Sequence, residues 1–317
     1  MEPEARLEYD GTYSTRNDVF IQEVFPMCSP DVMVKVNSAL RRGGQPVTRR
    51  RFLGSAGAVA AAGALAPLAM RAQGATPIAT PVNGDRSIGY AVVADLSHAL
   101  SPTSPVWPGR LKFGMETDTT VADAGFFASI LTLHEHVGTH MDAPAHFFED
   151  GLSADLIDPA RLVGPLVVLD VTEQAAGNED YAVTPDDILL WEGAYGQLPA
   201  GAFVAMNAGW SGRFSDAEAF VNADAEGVMH FPGFHPDAAS FLVEERNIVG
   251  IGVDSLSLDP GNSTDFGTHI TILGAGLYGI EGVANLGGVP ASGATVIVGG
   301  PNHEGASGGL ARLLVLH

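Results

Sequence analysis

Short apolar runs punctuate the second two-thirds of the chain: Tyr90–Leu96, Ala128–Leu133, Leu166–Val171, Ala202–Asn207, Ile248–Val253, Ala294–Val298 and Leu310–Leu316. Each is five to seven residues long, rich in Val, Ile and Leu and bounded by Gly, Pro, Asn or Asp, which predicts buried strands. Helical spacing is scarcer. Pro236–Arg246 places Ala238, Phe241 and Leu242 on one face, and Pro185–Trp191 predicts a second helix. Strands outnumber helices, and the Pro236 helix runs almost directly into the Ile248 strand, so the pattern predicts a mixed α/β, strand-rich single domain. Long Gly- and Pro-rich loops separate the other strands, and loops of that length are where function concentrates. No repeat of solenoid period is present.

An earlier apolar stretch has a different character. Thr48-Arg49-Arg50-Arg51-Phe52-Leu53-Gly54 precedes a small-residue run from Ser55 to Met70, with Arg71 to Ala75 behind it. The run is shorter than the ~20 apolar residues of a membrane-spanning helix and too poor in large side chains for a core. Together with its basic flank it resembles a twin-arginine export signal cleaved near Ala72–Ala75. The chain therefore divides into a polar extension (1–47), a signal segment (48–75) and a catalytic domain (76–317). Export to the periplasm or beyond the cell, by the twin-arginine machinery, is the expected fate. The polar stretch before Thr48 is long for such a signal, and a start at Met33 would shorten it.

Composition sharpens this picture. The chain has 317 residues, 46% hydrophobic, with a formal charge of −21, which suffices for one sizeable core. Nine of the 16 basic residues precede Gly74, leaving seven against 30 acidic ones beyond it. Such a surface repels nucleic acid and anionic membranes, so nucleic-acid binding is set aside. The single cysteine, Cys28, lies ahead of the signal, so the body has no disulfide, thiolate ligand or cysteine nucleophile. A metal in this protein has to be held by imidazole and carboxylate.

The candidate chemistry lies in Leu133-His134-Glu135-His136-Val137-Gly138-Thr139-His140-Met141-Asp142-Ala143-Pro144-Ala145-His146-Phe147-Phe148, with four histidines and an aspartate inside 13 positions. Neutral imidazole and carboxylate are ligands that zinc prefers and manganese accepts. On a helix His136 and His140 would share a face, but Gly138 and Pro144 disfavour one, and a strand end running into a tight loop is expected instead. Isolated histidines usually pack or solvate; this density points to a metal.

At these residues the sequence resembles the cyclase-type metal-dependent hydrolases, the group that includes bacterial kynurenine formamidase and isatin hydrolase. The resemblance rests on His-Val-Gly-Thr-His-Met-Asp-Ala-Pro-Ala-His-Phe. It extends upstream to Asp95-Leu96-Ser97-His98 and Pro105-Val106-Trp107-Pro108-Gly109. Downstream it takes in Gly252 to Ser255, Asp259-Pro260-Gly261, His269 and Leu273 to Glu281.

The resemblance implies a swivelling β/β/α fold with a barrel-like sheet core and a homodimer or higher homo-oligomer. It implies His136, His140 and Asp142 as the first metal ligands, His146 as acid/base, and His269 and Glu281 as the remaining ligands of a two-zinc site bridged by Asp142 and Glu281. Manganese, or one metal, is the alternative. Trp107 corresponds to a substrate-side aromatic, while His134 and His235 fall where no ligand is implied. The implied reaction is hydrolysis of a small-molecule aryl amide or lactam C–N bond by metal-activated water, N-formylkynurenine to kynurenine plus formate being the leading case. Isatin-type lactam hydrolysis, metal-dependent cyclase or lyase chemistry, and noncatalytic metal binding are the rivals. Phe126, Phe127 and Phe147 are further candidates for an aromatic pocket.

Two motifs mislead. Gly305-Ala306-Ser307-Gly308-Gly309 has the nucleophile-elbow pattern, but no Asp or Glu follows Ser307 as that fold requires. Gly274-Ala275-Gly276-Leu277-Tyr278-Gly279 has the dinucleotide pattern without a strand before it, a helix after it or an acid about 20 residues on. Its glycines are expected to give loop freedom that brings His269 and Glu281 together.

Overall fold

A computed structural model of the chain describes residues 89–317. The polar extension, the signal segment and Cys28 lie outside the described residues. Along the described chain run β1 (Val93–Asp95), β2 (Gly114–Thr119), α1 (Val121–Ala124), β3 (Ala128–Thr132), β4 (His140–Asp142), β5 (Val163–Asp170), α2 (Thr172–Gly177) and β6 (Ala182–Val183). There follow α3 (Pro185–Tyr195), β7 (Phe203–Asn207), α4 (Ala217–Val221), β8 (Gly233–Phe234), α5 (Pro236–Glu245), β9 (Gly250–Val253) and α6 (Gly267–Gly274). The last strands are β10 (Tyr278–Glu281), β11 (Ala294–Gly299), β12 (Gly308–Leu310) and β13 (Arg312–Leu316). No helix among these residues is long and apolar enough to cross a membrane.

Nine strands form one curled sheet in the order β1-β13-β11-β5-β7-β9-β10-β4-β12. Its centre, β5-β7-β9-β10, is parallel, and both flanks are antiparallel. Central strands covered on both faces read as unbroken apolar runs, and every residue of β7 and β9 is buried. The two-residue period sorts them into two layers. Val167, Leu169, Val204, Met206, Ile251 and Val253 face the layer that contains α5, while Leu166, Val168, Phe203 and Ala205 face the other. This is the mixed α/β, strand-rich domain expected from the pattern.

The helices also follow their sequence. Pro236 occupies the first turn of α5, where its missing N–H costs nothing, and His235 caps it, Nδ1 accepting from Asp237 N–H at 3.2 Å. His235 is thus a capping residue. Four expectations need correction, the first being Tyr90–Leu96, where only Val93–Asp95 forms a strand and Tyr90, Val92 and Val93 are exposed. The run at Ala128–Leu133 is not a buried strand: β3 pairs only with β2, leaving Ile130 and Leu131 exposed. Leu310–Leu316 is split at Ala311 between β12 and β13. The glycines at 274–279 do not sit in a free loop, because α6 ends at Gly274 and β10 begins at Tyr278. Helix-then-strand is the reverse of a dinucleotide motif.

Candidate metal centre

Sheet register assembles the centre. His140 and Asp142 are two residues apart on β4, so both point to the same side. Antiparallel pairing sets Glu281 opposite His140 on one edge, and Gly308 of β12 opposite Asp142 on the other. Short strand β4 replaces the expected tight loop after His136. Gly138 makes the preceding turn with φ +63°, and a Cβ there would lie 2.3 Å from Leu100. Thr139 secures the same turn, its hydroxyl donating to the Gly282 carbonyl at 2.6 Å and accepting from the His98 N–H at 2.9 Å. His269 comes from the first turn of α6.

Four side chains converge from these three elements. His140 Nε2 lies 3.5 Å from Asp142 Oδ1 and 3.3 Å from Glu281 Oε2; His269 Nε2 lies 3.4 Å from Asp142 Oδ2 and 3.1 Å from Glu281 Oε1. All four are longer than charge-assisted hydrogen bonds, which run about 2.7–2.9 Å. Ligand atoms of His140, Asp142 and Glu281 lie within 4.8 Å of one another, as around a metal ion, and His269 faces the other oxygens of the same two carboxylates. His140 Nε2 and Asp142 Oδ2 are buried without a hydrogen-bond partner, which a cation between them would relieve.

The outer nitrogens are already committed. His140 Nδ1 is 2.9 Å from the Gly138 carbonyl, and His269 Nδ1 is 2.6 Å from Asp259 Oδ2. Such partners fix the tautomer that turns an unprotonated Nε2 inward. Electrostatics agree. Burial alone would lower the His140 pKa, yet the Asp142 and Glu281 carboxylates raise it to about 10. Against the same burial, Asp142, Asp259 and Glu281 carry His269 well above its ordinary value. Burial opposes charge on Asp142 too, but His136, His140 and His269 hold its carboxyl well below the usual range. The donor set therefore fits a divalent cation.

His136 meets Asp142 at Oδ1, the oxygen that His140 also faces, and His146 lies against His136. Their rings stack at 3.9 Å, and His136 Nδ1 is 2.6 Å from Asp142 Oδ1. His136, Asp142 and His146 form one group with metal-ligand spacing, and His140, Asp142 and Glu281 a second, with Asp142 common to both. The geometry thus groups His140 with Glu281 and His136 with His146, while Asp142 and Glu281 turn their second oxygens to His269. His146 is reachable from solvent, and the protein crowded around its ring, by stripping hydration, lowers its pKa to about 4. It is neutral at pH 7 and able to accept a proton.

A cavity of about 260 Å³ opens onto His136, His140, His146 and His269. Trp107, Phe147, Phe214, Phe220 and Phe266 wall it, and Arg110 stands on its lining. Phe126 and Phe127 do not contribute; they are about 60% exposed (59% and 62%) at the turn end of the β2–β3 hairpin. His134 lines the cavity and accepts from the His136 N–H through Nδ1 at 3.2 Å, while His98 stacks on Phe214 at 3.7 Å. Sequence reasoning missed Asp259, Glu135, Ser307 and Arg110. Asp259 lies ten residues before His269 and carries no local signal of the contact, and Ser307 is 171 positions from His136.

Residues 94–260 match the model of a family described as putative cyclase. An isatin hydrolase from Roseibium aggregatum is 33% identical over 246 residues, covering 72% of this chain and 92% of that protein. A kynurenine formamidase from Salinibacter ruber is 28% identical over 191 residues, 60% of this chain and 81% of that one. Among solved structures, isatin hydrolase A from Labrenzia aggregata bound to benzyl benzoate superposes with TM-score 0.67 at 35% identity, covering 71% of this chain and 93% of that one. A potential metal-dependent hydrolase with cyclase activity gives 0.54 at 26%, covering 71% and 96%. With sheet, site and similarity in agreement over most of the described residues, this chain belongs to the putative cyclase family, and its similar relatives are hydrolases.

Proposed function

We propose that the protein is a metal-dependent hydrolase that opens the C–N bond of a flat aryl amide or lactam. The observation that carries this is the convergence of His140, His269, Asp142 and Glu281 at ligand–ligand spacing on the floor of an aromatic cavity. A divalent cation held there, zinc first and manganese second, supplies a Lewis acid and an activated water. The chain's own residues do the rest. Trp107, Phe147 and Phe266 give the ring of the substrate flat apolar surfaces. Neutral His146 takes the attacking water's proton and returns it to the departing nitrogen, so protons balance over the turnover.

Two substrates compete. Isatin-type lactam hydrolysis is favoured by the higher identity and fuller coverage of the isatin hydrolases. N-formylkynurenine, which the sequence put first, is favoured by Arg110, a cation on the cavity lining with no carboxylate partner among the described residues. Turnover of isatin, N-formylkynurenine and formanilide, with metal content measured before and after chelation and metal readdition, tests both. Chelation-sensitive turnover of one of them supports the reading; wild-type protein that takes up no metal ends it.

Assembly and location complete the proposal. Leu111, Met115, Val121, Phe126, Phe127, Ile130 and Leu131 expose on the order of 700 Å² of apolar surface on the β2–β3 hairpin and its flanks, at about 100 Å² each. Ile130 and Leu131 point to opposite faces of β3, so a partner covers this surface by clasping the hairpin on both sides, and a two-stranded hairpin is marginal by itself. A second copy of the chain, forming a homodimer, is its occupant. The Arg49-Arg50-Arg51 segment supports export by the twin-arginine route. Recovery of the mature chain, cut near Ala72–Ala75, outside the cytoplasm tests this.

A further inference from the structure

The Gly305–Gly309 motif that imitates a nucleophile elbow lies against the metal centre. Ser307 Oγ is 3.0 Å from His136 Nε2, and His136 Nδ1 is 2.6 Å from Asp142 Oδ1. Taken alone, these contacts have the form of a Ser-His-Asp triad. A fourth residue decides otherwise. Glu135 Oε2 accepts from the Ser307 hydroxyl at 3.2 Å and from the Gly308 N–H at 3.0 Å.

Counting protons separates two arrangements. In a triad the single Ser307 proton goes to His136 Nε2, which leaves the Ser307 oxygen facing the Glu135 carboxylate, acceptor against acceptor. If the proton goes to Glu135 instead, Ser307 accepts from His136 Nε2–H, and every contact on that side has its hydrogen. His136 then turns Nδ1 toward Asp142 Oδ1 at 2.6 Å, a hydrogen-bond distance, so a metal bound by both displaces the proton between them. A metal-binding histidine whose other nitrogen donates to an oxygen is the usual outer-shell arrangement.

The backbone is shaped for the same purpose. Gly308 pairs with Asp142, and a Cβ there would lie 2.2 Å from the Met141 carbonyl oxygen and 2.7 Å from His136 Cε1. Only glycine lets β12 approach β4 closely enough for the His136 ring to lie on it. His136, not Ser307, forms the cavity wall.

We propose that Glu135 and Ser307 are positioning residues that hold His136 with Nε2 protonated and Nδ1 offered to the metal beside Asp142. This rests on the metal-dependent reading of the site. The test is Co²⁺ affinity, by chelator competition, and the visible spectrum of the Co²⁺ protein for wild type, Ser307→Ala, Glu135→Ala and Glu135→Gln. Ser307→Ala and Glu135→Ala are expected to bind roughly 10- to 100-fold more weakly with an altered spectrum. Glu135→Gln, which keeps an acceptor for the Ser307 hydroxyl, is expected to stay near wild type. Thermal melting without metal checks that the variants fold.

Unchanged affinity and spectrum in both alanine variants would overturn the proposal while leaving the metal-dependent reading intact. Wild-type protein that binds no Co²⁺ would overturn both. Covalent labelling of Ser307 by a fluorophosphonate, together with lost turnover and unchanged Co²⁺ binding in Ser307→Ala, would also overturn it by making Ser307 the nucleophile.

Discussion

Asp259 Oδ2 lies 2.6 Å from His269 Nδ1 and also accepts the backbone N–H of the same residue, while Oδ1 accepts from Thr268 N–H. One buried carboxylate thus caps the start of α6 and orients the imidazole that α6 delivers to the centre. Asp259→Asn loses at least one of these contacts. Metal affinity is expected to fall roughly 10- to 100-fold, with about 1–3 kcal/mol of stability lost. Isothermal titration with Zn²⁺ and denaturant melts of the metal-free protein measure the two separately.

His146 is assigned proton transfer. His146→Gln is expected to keep metal content unchanged and to lower kcat by about 10²- to 10⁴-fold. Metal analysis of the purified variant beside its steady-state kinetics checks this, and loss of metal would move His146 into the ligand set.

Arg110 bears on substrate choice. In a body this acidic, one cation on the cavity lining favours anionic substrates disproportionately. Arg110→Gln is expected to raise KM about tenfold for an aryl amide bearing a carboxylate and to leave a neutral anilide unchanged. Comparing the pair at low and high salt is the measurement, since added salt should erase the difference.

Glu192 supplies a stability prediction away from the site. Arg246 donates to it through Nε at 2.7 Å and Nη2 at 2.9 Å, tying α3 to the end of α5 with both side chains largely buried. The hydrogen bond from Arg246 lowers the Glu192 pKa below 4.5. A depressed carboxyl contributes its stability above the unfolded pKa and loses it as pH falls through the folded one. Glu192→Gln is therefore expected to cost about 1.5–3 kcal/mol at pH 7. The gap from wild type should narrow as pH falls through the depressed Glu192 pKa, as urea melts across pH would show.

The β2–β3 hairpin predicts assembly. Phe126→Ser, Phe127→Ser and Ile130→Ser together are expected to shift the light-scattering mass from dimer to monomer while the far-ultraviolet spectrum stays the same. A wild-type monomer would refute the homodimer.

Local chemistry made much of this legible before folding. The buried strands at Leu166, Ala202, Ile248 and Ala294 announce themselves because a strand covered on both faces has to be apolar throughout. The α5 helix does so through its Pro236 start and its 3.6-residue spacing. The run at Ala128–Leu133 misleads for the same reason: apolar residues are written identically whether they face the chain's own core or a proposed second copy.

Sequence by itself determined the fold class, the family and the dense His/Asp segment from which the centre is built. The fold class and the segment follow from periodicity and from side-chain chemistry within a few residues, the family from the resemblance of its motifs. Only the tertiary structure decided how the ligands group, which outer atoms orient them, and that Ser307 serves a histidine 171 positions away. Strand register brings His140, Glu281, Asp142 and Gly308 to one edge of the sheet. Hydrogen-bond distances then fix each ring's orientation, and neither quantity is encoded in spacing along the chain.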